Sequence, residues 1–549
     1  MKKNFTVWLI ALLGLMGMCA ANVQAQTTPK EGKAGSLTWK YDTGTKTLTI
    51  SGKGDMPNYT WENQAPWQDH NQEMLILVVE EGITGIGDRA FRHAGNLISV
   101  TLPKTVTRIG SNAFTGCSSL PMVTIPTGVT KIGDYAFSNC SNLALATLPA
   151  ALQEIGEYAF YWCGKLNSVA IPAGVKSIGF GVFSACRNLS AITLVAGNAN
   201  YVVVDGVLFS KDKTNLIQYP AGRTATSYAI PAEVTSIAPE AFNDADNLTA
   251  VTIPAGLTSI SSWAFVNCSK LTSITIPVAV KEIGYNAFIS CQALTEIKVE
   301  AANTAYTSVD GVLFDKSKKT LIKYPEGRKA TAYAIPAGVT NIEENAFEGS
   351  EKLTSITIPA TVKKIGEGAF FRSGLTSAVI PAGVDTIKSH LFSWCENLTS
   401  VTLPASVKWI EYGAFNGCKN LKSLTVGAKT PPVIIVEIAG TIRDVPVANV
   451  TLTVPKGAKA AYAAAPVWKE FKQIAESTVS NVLLPEARIY TADGRLYFTL
   501  SRAETIHIYN VSGALVRTFT APAGETSVTL PQGVYVVRAG ERTEKVFIH

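Results

Sequence analysis

The sequence predicts a solenoid of stacked short repeats with a parallel β-sheet, followed by a small all-β sandwich. Three observations carry this. A unit of about two dozen residues recurs through most of the chain. Its apolar residues fit no single helix or strand period. The last sixty or so residues instead break into short apolar runs separated by glycine-bearing turns. The stretch Leu271 to Cys291 (LTSITIPVAVKEIGYNAFISC) is one copy of the unit. Leu271 to Ile276 alternates like a strand, Pro277 stops it, and Tyr285 to Cys291 has helix-like spacing. A unit this short cannot bury its own apolar face, whereas stacked copies can.

Residues 1–25 read as a secretory leader. Lys2 and Lys3 form its basic start, Val7 to Met18 its apolar centre, and VQA at 23–25 its cleavage site. Lipid attachment at Cys19 is disfavoured by Met18, where such sites want a small residue. Residues 26–36 read as a disordered start and Leu37 to Ser51 as a β-hairpin. The hairpin turn holds Asp42 and Gly44, the glycine being able to take positive φ. With Trp61, Pro66 and Trp67, residues 26–74 form an N-terminal cap, because terminal repeats must be covered.

The solenoid is expected over 75–429. Phe91, Phe114, Phe137, Phe160, Phe183, Phe242, Phe265, Phe288, Phe347, Phe370, Phe392 and Phe415 mark its units, mostly 23 residues apart. Two steps, Phe183 to Phe242 and Phe288 to Phe347, are 59 residues long and carry irregular longer repeats near 195–231 and 299–336. They resemble each other: YVVVDGVLF at 201–209 matches YTSVDGVLF at 306–314, and LIQYP at 216–220 matches LIKYP at 321–325. These segments read as irregular coils continuing the core, with projection toward a partner as the alternative. Residues 430–476 form a C-terminal cap with helical spacing through Tyr462, Trp468, Phe471 and Ile474. Residues 477–486 are a linker, and 487–549 the all-β module.

Charged residues make up 16% of the chain and the net charge is +6, spread evenly, which argues against nucleic acid. Cys117, Cys140, Cys163, Cys186, Cys268, Cys291, Cys395 and Cys418 each follow a marker Phe by three residues. Ala94, Ala245, Ser350 and Ser373 hold the same place elsewhere. The slot asks for a small side chain, so buried free thiols are expected rather than disulfides. No histidine accompanies the cysteines and no zinc site is read. The histidines (His70, His93, His390, His507, His549) recur at no repeat position. No nucleophile motif, phosphate loop or metal set appears. The chain reads as no enzyme, with no cofactor.

The repeat VTIPTGVTKIGDYAFSNC at 123–140 is nearly a consensus copy of the BspA-type leucine-rich repeats of bacterial surface proteins, which the array resembles over about residues 75–425. The resemblance implies a leucine-rich-repeat solenoid with a parallel sheet and a short helical or irregular convex side. It also implies a surface or extracellular location and adhesion to host matrix or plasma glycoproteins, or to other cells. The tail, through Ile508 to Asn510, Leu530 to Val537 and Glu544 to Ile548, is similar to type IX secretion sorting domains, although it ends in His549 where Lys or Arg is more usual.

If Leu271, Ile274 and Ile276 point inward, Ser273 and Thr275 face out. The equivalent outward places hold Thr101, Thr124, Thr147, Thr193, Thr252, Thr357, Thr402 and Thr425, with Glu296 and Lys298 adding charge. This row is the candidate binding surface, suited to an extracellular protein or glycoprotein, a glycan or another bacterial cell. Stacked threonines are also good strand formers with no further role. Glycan or nutrient capture and a structural surface-layer part are the alternatives. A monomer with no membrane span is expected.

Overall fold

A computed structural model describes residues 30–435, 444–477 and 488–548, the last apart from 493–494, 501–503, 523 and 540–541. The leader at 1–25 and residues 478–486 of the linker lie outside the described residues.

Each 23-residue unit is one coil of a parallel solenoid of about 17 turns. The coil has three sides because its sequence changes period twice. The first side is a strand such as Ser273–Ile276, which pairs in parallel with Glu296–Val299 in strict register, Ile274 opposite Ile297 and Thr275 opposite Lys298. The proline then ends the strand, and a turn closed by the Val280 amide donating to the Pro277 carbonyl (3.3 Å) redirects the chain. The second side is a two-residue strand such as Lys131–Ile132, stacked between Arg108–Ile109 and Glu154–Ile155. The glycine that follows it in most coils, replaced by Ala238, Ser261, Glu343, Lys388 and Glu411 in the others, sits in a crowded place. A Cβ at Gly133 would meet the Ser111 nitrogen at 2.6 Å, because successive backbones nearly touch there.

The third side takes the irregular of the two expected forms, not the helical one. The helix-like spacing around each marker Phe yields no helix. Two residues flanking the Phe, at minus two and plus two, adopt left-handed backbone: Tyr135 (φ 55°) and Asn139 (φ 59°) around Phe137, Asn286 (φ 53°) and Ser290 (φ 58°) around Phe288. A left-handed residue breaks the right-handed helix. The amides turn outward to the next coil instead, as in the Phe114 amide donating to the Ala136 carbonyl at 2.8 Å. The Phe rings form a stack inside, with Phe114, Phe137 and Phe160 separated by 5.3 and 5.4 Å.

All eight cysteines of the array are buried and free. The slot does more than fill volume. Each thiol approaches the carbonyl of the marker Phe one coil back, from 2.9 Å (Cys395 to Phe370) to 3.4 Å (Cys117 to Phe91).

Each long step hides one extra coil. Tyr219 and Tyr324 take the Phe slot, buried and stacked on Phe242 and Phe347 at 5.1 Å. The remainder is an antiparallel hairpin, Tyr201–Val204 with Val207–Ser210, turned by Asp205 (φ 48°) and Gly206 (φ 76°). Its Val207, Leu208 and Phe209 are fully buried, so the segments continue the core. Arg223 ties the hairpin turn down, pairing with the Asp205 carboxylate at 2.7 Å.

At the start, Lys30–Ala34 pairs antiparallel with Leu37–Asp42, so a third strand replaces the expected disorder. The hairpin turn takes its positive φ at Lys46 (55°), not at Gly44. Trp67 is the end plug: it is fully buried, stacks on Phe91 at 5.7 Å and donates to the Ala90 carbonyl at 2.8 Å. At the other end the helix spans only Lys459–Ala464, and Ile474 lies in the strand Gln473–Glu476 that closes the first sheet. Trp468 mirrors Trp67, buried and donating to the Pro432 carbonyl at 2.9 Å. The tail forms two antiparallel sheets of three and four strands around Leu496, Phe498, Ile506, Ile508 and Val537.

Candidate binding surfaces

The first sheet presents the outward row that the alternation predicts. Thr101, Thr124, Thr147, Thr193, Thr252 and Thr275 are exposed, and Thr357, Thr402 and Thr425 half-buried. Parallel pairing puts Thr124 beside Thr147 and Thr402 between Val379 and Thr425.

The array holds other threonine rows, and their hydroxyls behave differently. Thr249, Thr272 and Thr295, just after the unit's Leu, each donate to the carbonyl of the threonine one coil back, at 3.0 to 3.1 Å. Thr258 does the same on the second side, 2.9 Å from the Thr235 carbonyl. These hydroxyls are used by the fold. In the predicted row only Thr193 is so engaged, donating to Val169 at 3.0 Å. The other hydroxyls of the row have no partner among the described residues. The two charges in the row neutralise each other: Lys298 and Glu296 are 2.8 Å apart. Ser273 is half-buried beside them, its Cα opposite that of Glu296. Met122 and Leu145, adjacent in register and 52% and 46% exposed, add an apolar spot to this sheet that the threonine pattern did not reveal.

The second side is charged and self-paired, with Lys131 to Glu154 at 2.8 Å and Arg108 to Asp55 at 2.8 Å. Exposed pairs of this kind contribute little stability and no directional site.

The turn side carries most of the solenoid's exposed rings, with Trp409 on the second side and Trp61 in the N-terminal cap lying apart from them. Tyr135, Trp162, Trp263 and Trp394 are 37 to 49% exposed, and each sits at a left-handed slot (φ 55° to 60°). Tyr285 and Tyr412 are exposed beside them. Single-unit sequence reading missed this face, because the rings occur at different slots in different coils. Bulky side chains with positive φ are the signal in the structure.

The two long steps differ where they face this side. In the second, Lys323 and Glu326 form a buried pair at 3.1 Å. Burial, outweighing the nearby Lys323, pushes the Glu348 carboxyl up to about 7. The first step has the neutral Gln218 and Ala221 in the corresponding places. A cleft of about 430 Å³ opens beside the charged pair, lined by Tyr285, Tyr306, Asp315, Glu343 and Glu344 among others. Among the described residues no group of three or more His, Cys, Asp or Glu is arranged to hold a metal ion. His70 stacks on Tyr41 inside the cap (4.3 Å), and His93 and His390 occupy left-handed slots of distant coils. No helix of the described residues is long and apolar enough to cross a membrane.

A strand, a proline turn, a second short strand and a Phe-centred turn, repeated around one continuous core, define a leucine-rich-repeat solenoid. The sequence matches the BspA type Leucine rich repeat region in six copies over residues 84–209, 221–331 and 326–431, and the chain belongs to that family. A crystal structure of a leucine-rich repeat protein from Eubacterium ventriosum ATCC 27560 is similar at 27% identity and a TM-score of 0.50, covering 76% of this chain and 98% of that one. A leucine rich cell surface protein from Faecalibacterium prausnitzii A2-165 is 25% identical with a TM-score of 0.40, covering 83% and 97%. No curated protein matches the sequence.

Proposed function

We propose that this chain is an exported, surface-displayed binding protein and not an enzyme, and that it engages an extracellular protein or glycoprotein through the first sheet. One observation carries the reading. The Thr124, Thr147 and Thr275 hydroxyls face solvent with no partner among the described residues, while the neighbouring threonine rows are consumed by backbone bonds. A long row of free hydroxyls with its charges cancelled suits many weak contacts to a broad, polar partner. The family supports a surface role. The antiparallel sandwich at 488–548 supports a sorting or anchoring tail of the type IX kind.

Solid-phase binding of the chain from residue 26 to matrix proteins, plasma glycoproteins, mucins and bacterial cells tests the reading. Saturable binding at micromolar concentration or below is expected, weakened at least tenfold by the triple change Thr124→Lys, Thr147→Lys and Thr275→Lys. Binding to none of the panel, or binding indifferent to these lysines, overturns it. Removing residues 487–549 is expected to leave the solenoid folded and abolish surface display.

A further inference from the structure

The turn side holds rings where the fold asks for none. Every marker Phe is flanked by two left-handed slots, and Gly or Asn fills many of them: Asn112, Gly116, Asn139, Gly181, Asn267, Asn286, Asn345, Gly349, Gly368, Gly413 and Gly417. These residue types adopt the conformation at least cost, whereas bulky side chains are disfavoured there. Tyr135, Tyr158, Trp162, Trp263 and Trp394 occupy the same slots. Of these only Tyr158 is buried. Exposed bulky residues in a disfavoured backbone region, where small ones serve elsewhere in the same array, point to a role outside folding.

The slot also fixes how a ring is shown. Its side chain lies across the same slot of the next coil. A Cβ at Gly417 would come within 2.9 Å of Trp394 Cδ2, and one at Gly181 within 2.5 Å of Tyr158 Cε1. Such a ring has one face against the next coil and the other outward. The densest group spans adjacent coils. Tyr135 stacks on Tyr158 at 4.9 Å and 21°, Tyr161 meets Tyr158 at 5.3 Å, and Trp162 lies 6.1 Å from Tyr161. The buried Tyr158 is the base of this platform, its hydroxyl donating to the Glu240 carboxylate.

The surroundings select the ligand. Asp134 and Glu157 are exposed beside Tyr135, whereas Glu240 lies buried beneath the rings with its carboxylate held by Tyr158 and Asn243. A carboxylate rim repels anionic ligands and accepts hydrogen bonds from hydroxyl groups. Tyr135 and Tyr158 stack face to face rather than enclosing a space, so they form a platform and not a cage for an ammonium group. The exposed rings recur at intervals, at Tyr135 and Trp162, at Trp263 and Tyr285, and at Trp394 and Tyr412, with polar coils between them. A protein partner needs a contiguous patch of roughly 800 Å². A linear polymer of hydroxyl-bearing rings needs only spaced flat faces, because the C–H groups of a sugar are drawn to the negative face of an aromatic ring.

We propose that the turn side is a neutral-polysaccharide binding surface, with Tyr135, Tyr161 and Trp162 as its principal platform. It uses a different side of the coil from the threonine row and stands or falls independently of it.

Affinity electrophoresis of the chain from residue 26 in gels containing a soluble galactomannan, xyloglucan, β-glucan or, for comparison, alginate tests this. Retardation by at least one neutral polymer and none by alginate is expected. The double variant Tyr135→Asn and Trp162→Asn is expected to weaken binding tenfold or more with unchanged far-ultraviolet dichroism, since Asn suits the slot. Thr124→Lys is expected to leave it unaltered. Absence of retardation by all three neutral polymers overturns the proposal. So does equal retardation by alginate, wild-type binding by the double variant, or a dimer in solution that the double variant abolishes.

Discussion

Two substitutions two residues apart separate what the coil needs from what it displays. Phe160 is fully buried between Phe137 (5.4 Å) and Phe183 (5.7 Å). Phe160→Ala removes a core ring in a region whose backbones already touch, so the cavity cannot readily collapse. The ordinary cost is about 3–5 kcal/mol. Loss of two stacked ring contacts falls at the upper end of that range, at about 0.5–1.5 kcal/mol each. Trp162, by contrast, is 49% exposed with φ at 58°. Trp162→Asn gives up some contact with Tyr161 but relieves a left-handed backbone disfavoured by about 1 kcal/mol. Its expected effect is between no change and a gain of about 0.5 kcal/mol. Urea unfolding followed by far-ultraviolet dichroism and by tryptophan fluorescence measures both. A defect in a linear array uncouples its two sides, so Phe160→Ala is also expected to separate the two probes' transitions. A cost below about 1 kcal/mol for Phe160→Ala refutes the stack as the organising core. A cost above about 1 kcal/mol for Trp162→Asn makes the indole a packing residue and removes the basis for reading the turn side as a display surface.

Three further outcomes follow from particular environments. Burial raises the Glu348 carboxyl from 4.5 to about 7, so the folded chain holds a proton that the unfolded chain has released between those values. Stability therefore falls as pH rises from about 4.5 to about 7, by roughly 2–3 kcal/mol, and is flat above. Glu348→Gln is expected to remove that slope in melting curves from pH 5 to 8. Burial pushes the Cys395 thiol up to about 11 and Cys186 to about 12. Iodoacetamide at pH 8 should leave the eight array thiols unlabelled in the native chain and label all eight in urea, as mass spectrometry counts. Gly133→Ala places a Cβ 2.6 Å from a backbone nitrogen of the previous coil. It should destabilise by more than about 2 kcal/mol in the same urea assay, whereas Gly164→Ala, whose Cβ would meet nothing closer than 4.0 Å and whose backbone is not left-handed, should cost under about 1 kcal/mol.

The parts of the fold legible in the sequence were those that recur with a fixed chemistry. Ile274 and Ile276 point inward and Thr275 outward because a strand has period two, and that could be read from one unit. The buried cysteine slot was legible because Ala and Ser replace Cys there. The thiol's approach to the Phe carbonyl was not, since Ala94 and Ala245 cannot make it. The short spacing around Ala287 and Phe288 suggested a helix because both a helix and this turn bring residues three and four apart onto one side. What separates them is backbone sign at Asn286 and Ser290, and these slots accept Arg89, Glu240, Ala185 and Trp263 as well as glycine. No residue type marks them. The two long steps were legible as irregular coils of the same core, but the stacking slot within them was not, because Tyr219 and Tyr324 replace the Phe that defined the period.

The two outward surfaces differ in how much their residues depart from what the backbone selects. A threonine on the first sheet is what a strand would select anyway, so Thr275 gains significance only from its unused hydroxyl. A tryptophan at a left-handed slot is what the backbone would select against, so Trp162 and Trp394 carry information by being present at all. Repetition makes this comparison internal. The coils around Phe114 and Phe415 place glycine where the coils around Phe160 and Phe392 place tryptophan, at Gly116, Gly417, Trp162 and Trp394, with the same φ sign and the same stacked Phe beneath. The coil closes with either residue, and glycine at 116 and 417 also makes room for His93 and Trp394 of the coil before, so a ring shown at one slot is matched by a small residue at the next, and it is at such positions that one copy of a repeat can acquire a role its neighbours lack.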